Sequence, residues 1–500
     1  MTEHRHPHVD ELTPEVERAE VLAQFAEHPY ANLETYKYFN QRGEAAAAAK
    51  TDFIDAAMSG QTPDAPEFAY PGLDTNTLVA RRDELTELLH DVIRLDMEVE
   101  ENRLLREKIT DRLHEVGIML LARIQSDLGP DHPMYEAVSF QLGENMREVY
   151  GRPQAEHWRG ILGYRLSLLA EIEDRADVPD SVREAWEFVR DALPQDLPIE
   201  KPYEPRPDTM RWYREQLDAR VAPARATVEA AIEDGVITVG EDGKMTGENV
   251  VLATRVALDA LDIQGWDVQI TDESNVDTSQ ELSTIFIPNK RTKGDMTLED
   301  FDAVILSHEI DQHVARRDNG DKSGEPILGG TGCAGYLGWE EGNGKANEAL
   351  LAGKVDNEDS AFKHFLSGGL ALGLDGERGR NFGETFDLVW RMRYVATYLE
   401  GKHKDDEASR RDLFGKTYDD LRRLYRGTDG RAPGVIFTKD AMTYYLGQTD
   451  VWRKWDENMD LDEDARREEH ELERSAKINP LRNDHRRVAA RARERERVAT

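Results

Sequence analysis

The sequence predicts a predominantly helical α+β chain, on three observations. Apolar residues recur at helical spacing through nearly all of the first 190 residues and again beyond residue 360. β character is confined to a window between residues 236 and 288. Just after that window, a helix carries two histidines and a glutamate in the pattern His308-Glu309-Ile310-Asp311-Gln312-His313.

In chain order, His4, His6 and His8 lie in a polar stretch that reads as a disordered tail and lacks the apolar run of a secretory signal. Residues 14–27 read as an amphipathic helix. Residues 33–58 read as another, built on Glu44-Ala45-Ala46-Ala47-Ala48-Ala49-Lys50, all strong helix formers. Pro63, Pro66, Pro71 and Gly72 break the chain. Over residues 75–128, Leu78, Leu85, Val92 and Val99 recur every seven residues, with Leu88 and Leu95 between them. That seam fits a dimer interface or, more simply, a helical hairpin folded within one molecule. Further helices are expected around 134–150, 155–176 and 181–193. Pro194, Pro198, Pro202, Pro205 and Pro207 then mark a linker or extended strap. Residues 1–195 thus form an α-helical N-terminal region, 196–455 a second unit and 456–500 a charged tail.

In the second unit, a helix is expected over 208–234, a strand at 236–239, and a helix from Thr246 to about residue 261. Trp266, Val268 and Ile270 alternate as a half-buried strand does, and 282–287 forms another strand, an edge ended by Pro288. Thr297 then reads as an N-cap, with Asp300 completing a short capping box and Asn319-Gly320 as the stop. A glycine-rich loop follows, with Cys333 inside it as a packed residue. It lacks the lysine-serine/threonine ending of a phosphate loop. Helices return over 362–372, 382–400 and 412–425. The tail ends in Arg486, Arg487, Arg491, Arg493, Arg495 and Arg497. No aromatic residue interleaves them, so a solvated helical or disordered tail fits better than a nucleic-acid arm.

The histidine pattern carries the chemistry. Histidines four apart on an α-helix lie about 40° apart around its axis, whereas five apart they lie about 140° apart. His308 and His313 meet at one ion only if the helix gains a residue in that turn, as a π-bulge provides. Two imidazoles and a carboxylate are the ligand set of a catalytic zinc site with a position open to water. Glu341 is the expected third ligand, with Glu340 and Glu348 as alternatives, and Glu309 is placed to act on the water. A zinc-dependent peptidase on a zincin-like domain follows as the expectation.

Composition narrows the setting. The net charge is −36 over 500 residues, which counts against nucleic acid or an anionic membrane as the main partner. No apolar window is long enough to span a membrane. Cys333 is the single cysteine, so no intramolecular disulfide can form and a reducing cytoplasm is the expected setting.

These residues resemble the microtubule-associated tyrosine carboxypeptidase family and its microbial relatives, over about residues 212–452. The family's His-Glu-Ile-x-x-His helix is matched by residues 308–313, and its Glu-Glu-Gly motif by Glu340-Glu341-Gly342. Arg316 stands at a family position, and a later block matches through Arg426-Gly427, Pro433-Gly434, Phe437, Lys439-Asp440, Tyr444 and Gly447. The resemblance implies a zinc carboxypeptidase that removes residues from a peptide or protein C-terminus, with His308, His313 and Glu341 as ligands and Glu309 catalytic. Tyr444 or a nearby histidine is then the expected oxyanion donor. Arg316, Arg426 and Lys439 are the expected cations for the terminal carboxylate. The chain departs from the family at Asp311-Gln312, where Gly-Thr is usual, and at Asn343-Gly344, where Leu-Ala is usual. An endo- or aminopeptidase on the same site, and a scaffold with a vestigial metal site, are the rival readings.

Overall fold

The computed structural model describes residues 14–499 apart from 41–42, 71, 272–274, 290–295, 403 and 405, and it is a predominantly helical α+β structure. The stretch bearing His4, His6 and His8 lies outside the described residues. No helix among the described residues is long and apolar enough to cross a membrane.

The seam of leucines is used internally. Helices Thr75–Arg94 and Glu100–Leu128 form a hairpin, and Leu78, Leu85, Leu88 and Val92 are buried with Ile109, Val116 and Leu120. Asp74 caps the first helix by accepting from the Thr77 N–H. The helix expected over 33–58 is instead two, Thr35–Tyr38 and Gly43–Met58. Just past the first of them, the Phe39 ring is buried edge-on against Tyr70 and Phe437. The proline-rich stretch before helix Pro207–Glu233 is an extended strap, tied down by Glu200 N–H to Gly160 C=O and by Tyr203 Oη to Asp456.

The strands are β1 (Lys244–Met245), β2 (Asp267–Thr271), β3 (Asp277–Ser279), β4 (Thr284–Pro288) and β5 (Met296–Thr297). β1 pairs antiparallel with β5. In the larger sheet β4 is central, parallel to β2 and antiparallel to β3. Two expectations are corrected here. Residues 236–239 form no strand, because Gly235 at φ +73° ends the preceding helix in a turn that buries Ile237. The strand ended by Pro288 is not the edge: the proline takes its last position, where the missing N–H costs little, and β3 is the outer strand beside the histidine helix.

Three apolar cores hold the chain together. The first joins Phe53, Trp158, Leu162 and Val189 to Phe365, Phe386 and Tyr418. The second joins Leu85, Ile109 and Met119 to Ile327, Phe437, Ile478 and Val488. The third, under the small sheet, contains Leu217, Val250, Ile285, Ile305, Ile310, Trp339 and Trp452. Each such buried side chain contributes about 1.5–3 kcal/mol by leaving water. The first two cores mix residues from both sides of position 195, so packing does not divide the chain there. Position 455 is no packing boundary either. The charged end forms helices Glu463–Glu473 and Asn483–Ala499, with Leu472, Ile478, Val488 and Ala492 in the second core. Its arginines face acidic partners: Arg487 and Arg491 on Glu100, Arg486 on Glu469, and Arg495 on Glu325.

Candidate metal centre

The histidine helix opens as its sequence dictates. Thr297 accepts from the Asp300 N–H, and Asp300 returns a bond to the Thr297 N–H, a complete capping box. From Phe301 to Val314 the helix then runs with π-helical pitch, its last bond passing from Ala315 N–H to Ile310 C=O. Bonds of this i→i+5 type bring residues five apart onto one face. His308 and His313 therefore sit with ring centroids 5.1 Å apart. The local distortion that their spacing demands is present, spread over the whole helix middle rather than confined to one turn.

Helix Leu337–Ala352 supplies the third group. Ligating atoms of His308, His313 and Glu341 all lie within 4.8 Å of one another. Glu341 Oε2 is 3.9 Å from His308 Nε2 and 4.0 Å from His313 Nε2. Ligands of a tetrahedral ion at about 2.1 Å are about 3.4 Å apart, so a closing of roughly half an ångström completes the cage. The other nitrogen of each ring is already held: His308 Nδ1 lies 2.5 Å from Glu348 Oε1, and His313 Nδ1 lies 3.0 Å from Glu340 Oε1. A carboxylate behind each histidine is how zinc-binding imidazoles are oriented and their tautomer fixed. Glu340 and Glu348, the alternative ligands, thus stand behind the rings, and Glu341 is the carboxylate in front of them.

The charges around the trio keep its carboxylate ionised. Burial opposes charge on Glu341, but the Lys439 ammonium and the two imidazoles outweigh it and hold its carboxyl at about 2. Burial likewise opposes charge on Glu340, which Lys477 and Arg316 overcome, again to about 2. His308 is pushed up to about 9: burial lowers it, but the Glu348 hydrogen bond and charge win. A metal ion binding here would have to displace that proton, so its binding would weaken toward acid.

Two close approaches explain the glycines of Glu341's helix. A Cβ on Gly342 would lie 2.1 Å from the Gly447 carbonyl carbon, so helices Leu337–Ala352 and Tyr445–Asn458 cross backbone to backbone. A Cβ on Gly344 would lie 2.7 Å from His308 Nε2. The imidazole lies against bare backbone, which makes Gly344, a weak helix former, the residue this position requires. Asp311 also has its reason. It does not line the cavity and receives paired bonds from Arg220 and Arg474, and these guanidiniums hold its carboxyl far below the usual range despite burial.

A cavity of about 470 Å³ opens in front of the cluster. His308, Glu309, His313, Glu341, Arg426, Lys439 and Tyr444 all line it. The Glu309 carboxylate takes no side-chain hydrogen bond from another described residue. Lys439 donates to Glu341 Oε1 at 3.0 Å, which leaves Oε2 toward the histidines. Tyr444 Oη accepts from Arg423 at 2.8 Å, so its own hydrogen is left to donate. Arg316 is the correction among the expected site residues. It is fully buried behind His313, bonded to Glu340 and the Ile478 carbonyl, and it does not line the cavity. Its charge serves Glu340, together with Lys477 from the C-terminal stretch.

The opposite wall comes from the N-terminal region. Glu34, Tyr36, Arg112, Glu115 and Tyr150 line the cavity. Glu34 accepts from the Gln280 N–H at 2.8 Å, and Lys37 donates to the Thr278 carbonyl at 3.0 Å, so this segment is fastened along β3. His364, on a second π-helical turn Ser360–Phe365, also reaches the cavity. No local sequence pattern marks these residues, because each is brought in by long-range packing. The chain matches no known family model and no curated protein.

Proposed function

We propose that the chain is a zinc metallopeptidase of zincin-like fold, a relative of the tyrosine carboxypeptidase family, that trims the C-terminus of a peptide or protein. The observation that carries this reading is the convergence of His308, His313 and Glu341, each imidazole backed by its own carboxylate, with Glu309 lining the same cavity. A zinc ion at this trio supplies Lewis acidity, which brings a water's pKa toward 7 and polarises a carbonyl. Glu309 takes the proton from the attacking water and passes it to the leaving amine. Tyr444, its oxygen fixed by Arg423, donates its hydrogen to the carbonyl oxygen as negative charge develops there. Arg426 and Lys439 place cations at the same cavity, where a chain end with a free carboxylate docks.

The cavity's form favours exopeptidase action on a flexible chain end. His308, Glu309 and Glu341 are each only 8% exposed, beyond the reach of a folded protein's surface. The outer edge of β3, where an extended substrate would otherwise add as a strand, is partly taken by Glu34 and Lys37. A reducing compartment suits the single thiol, Cys333, which is buried and pushed up to about 12 by burial.

Two measurements test the reading. Elemental analysis of protein purified without added metal is expected to give near-stoichiometric zinc, lost in the His308→Ala/His313→Ala variant. Glu309→Gln is expected to keep the zinc and lose turnover of C-terminally free peptides by about 10²–10⁴-fold. Absence of zinc from the unaltered protein even after supply, or full turnover in Glu309→Gln, overturns it.

A further inference from the structure

A second cavity, of about 660 Å³, adjoins the one in front of the trio, and its volume is in the range that takes a whole small molecule. Val149, Tyr150, Gly335 and Leu337 line both, so the two spaces meet across these residues. Two helices fix where they meet. In Leu337–Ala352, Glu341 lines the first cavity, Gly338 the second, and Leu337 both, about 6 Å of helix rise before Glu341. In Lys439–Thr443, Lys439 lines the first and Thr443 the second, again about 6 Å along. The second cavity thus begins one helical turn beyond the Lys439–Glu341 ion pair. That is the side of the trio bearing the cations expected to hold a terminal carboxylate.

The partition between the two spaces is light. Arg426 lies over the Phe437 ring at 4.9 Å, and the Tyr150 ring stands 4.9 Å from Phe437 on, so Tyr150 is one ring removed from the second cation. Tyr150 is half-buried, and its hydroxyl donates to Glu115 Oε1 at 3.3 Å, a long and weak bond. The far wall suits a small molecule that carries both charges and is neutral overall. Arg152 and His157 are already paired there, with Glu144 and Glu200. Glu156, Asp450 and Arg453 are exposed along the same wall and offer both signs.

Resting on the carboxypeptidase reading, we propose that the second cavity is the way out for the residue cut from the chain end, a free α-amino acid. When the peptide bond breaks, the shortened chain still occupies the mouth by which it entered. The freed residue, its carboxylate toward Lys439 and Arg426, stands before Tyr150 and Leu337 and leaves between them as a zwitterion. Gly338 gives access to this passage alone. It lines the second cavity and not the first, and a Cβ there meets nothing within 4 Å, so a larger side chain has open space before it.

The test is a series, Gly338→Ala, Gly338→Leu and Gly338→Phe, in the zinc-loaded full chain. The substrates are N-acetyl tripeptides and hexapeptides ending in each of the standard amino acids. Gly338→Phe is expected to lower kcat at least tenfold and KM by the same factor, leaving kcat/KM within twofold of the parent. A burst of one cleavage per active site is expected before its slow steady state, the signature of hindered product release. Gly338→Ala is expected to match the parent and Gly338→Leu to fall between, so the leucine variant decides if the phenylalanine variant fails to fold. Unchanged kcat in the folded leucine variant, or a loss of kcat/KM without a burst, overturns the exit route and leaves the peptidase reading standing. A loss of kcat/KM that is greater for hexapeptides than for tripeptides also overturns it, assigning the cavity to the upstream residues of the substrate. No cleavage of any of these peptides by the zinc-loaded parent overturns the peptidase reading and the exit route together.

Discussion

Replacing Gly344 with alanine should separate metal affinity from fold stability. The added Cβ would stand 2.7 Å from His308 Nε2 and 2.8 Å from its two neighbouring carbons, where ordinary contact begins at 3.4 Å. The ring must retreat by about 0.7 Å from the helix that also carries Glu341, several times the ~0.2 Å tolerance of a zinc bond. Disturbing the orientation of a ligand in this way costs about 10–100-fold in metal affinity, or about 1.4–2.7 kcal/mol. The helix itself moves the other way, because alanine is favoured over glycine in a helix interior by about 1 kcal/mol. Zinc affinity, read by competition with a chromophoric chelator, is therefore expected to fall at least tenfold. Denaturant unfolding in the presence of chelator is expected to stay within about 1 kcal/mol of the parent. Unchanged affinity would show that the ring is not pressed on bare backbone. Metal-free destabilisation beyond about 3 kcal/mol would show that the helix, not the ring, gives way.

Other outcomes follow from the same geometry. Glu348→Gln replaces the carboxylate behind His308 with a near-isostere and is expected to weaken zinc by about tenfold, read by competition with a chelator. Asp311→Asn leaves the Arg220 and Arg474 guanidiniums without their counter-charge, and chemical unfolding should show a loss of about 3–5 kcal/mol. Burial raises the Glu473 carboxyl to about 7, against donation from Trp455 and Asn458. A raised carboxyl favours the fold when protonated, so its contribution is full below about 4.5 and lost as pH rises through 7. Glu473→Gln, which cannot ionise, should therefore gain on the parent between pH 5 and 8, by about 3 kcal/mol in unfolding free energy. A pH-independent difference between the two proteins would remove Glu473 as the titrating group.

What the sequence makes legible is whatever is written in neighbouring residues. Thr297 and Asp300 make their capping box, and Thr246 caps the helix it introduces. The five-residue spacing of His308 and His313 demands a widened helix, and the helix is widened. Glu348 lies seven residues beyond Glu341, two turns along the same helix, close enough to be weighed as a ligand but not to be recognised as a support. Arg316 shows the limit. A guanidinium three residues after a histidine has the same chemistry whether it faces a substrate or a buried carboxylate, and only Lys477 and Ile478, far along the chain, decide which. The same holds for 282–288, an edge strand by its proline until β3 pairs on its other side. His364 carries no sequence signal at all, because its place is set by helices that meet from distant parts of the chain.

The dependence of the histidine helix on residues 474–478 has a consequence for biosynthesis. Arg474 grips Asp311, Lys477 grips Glu340, and the Ile478 carbonyl holds Arg316. A ribosome delivers the chain from its N-terminus, and the early helices can begin to pack while the rest is being made. Both histidines and Glu341 emerge long before those supports exist. On the proposed reading, capture of a metal in the finished geometry must therefore wait until residues 474–478 have been made, and a chain stalled short of Arg474 would carry His308, His313 and Glu341 without the framework that orients them.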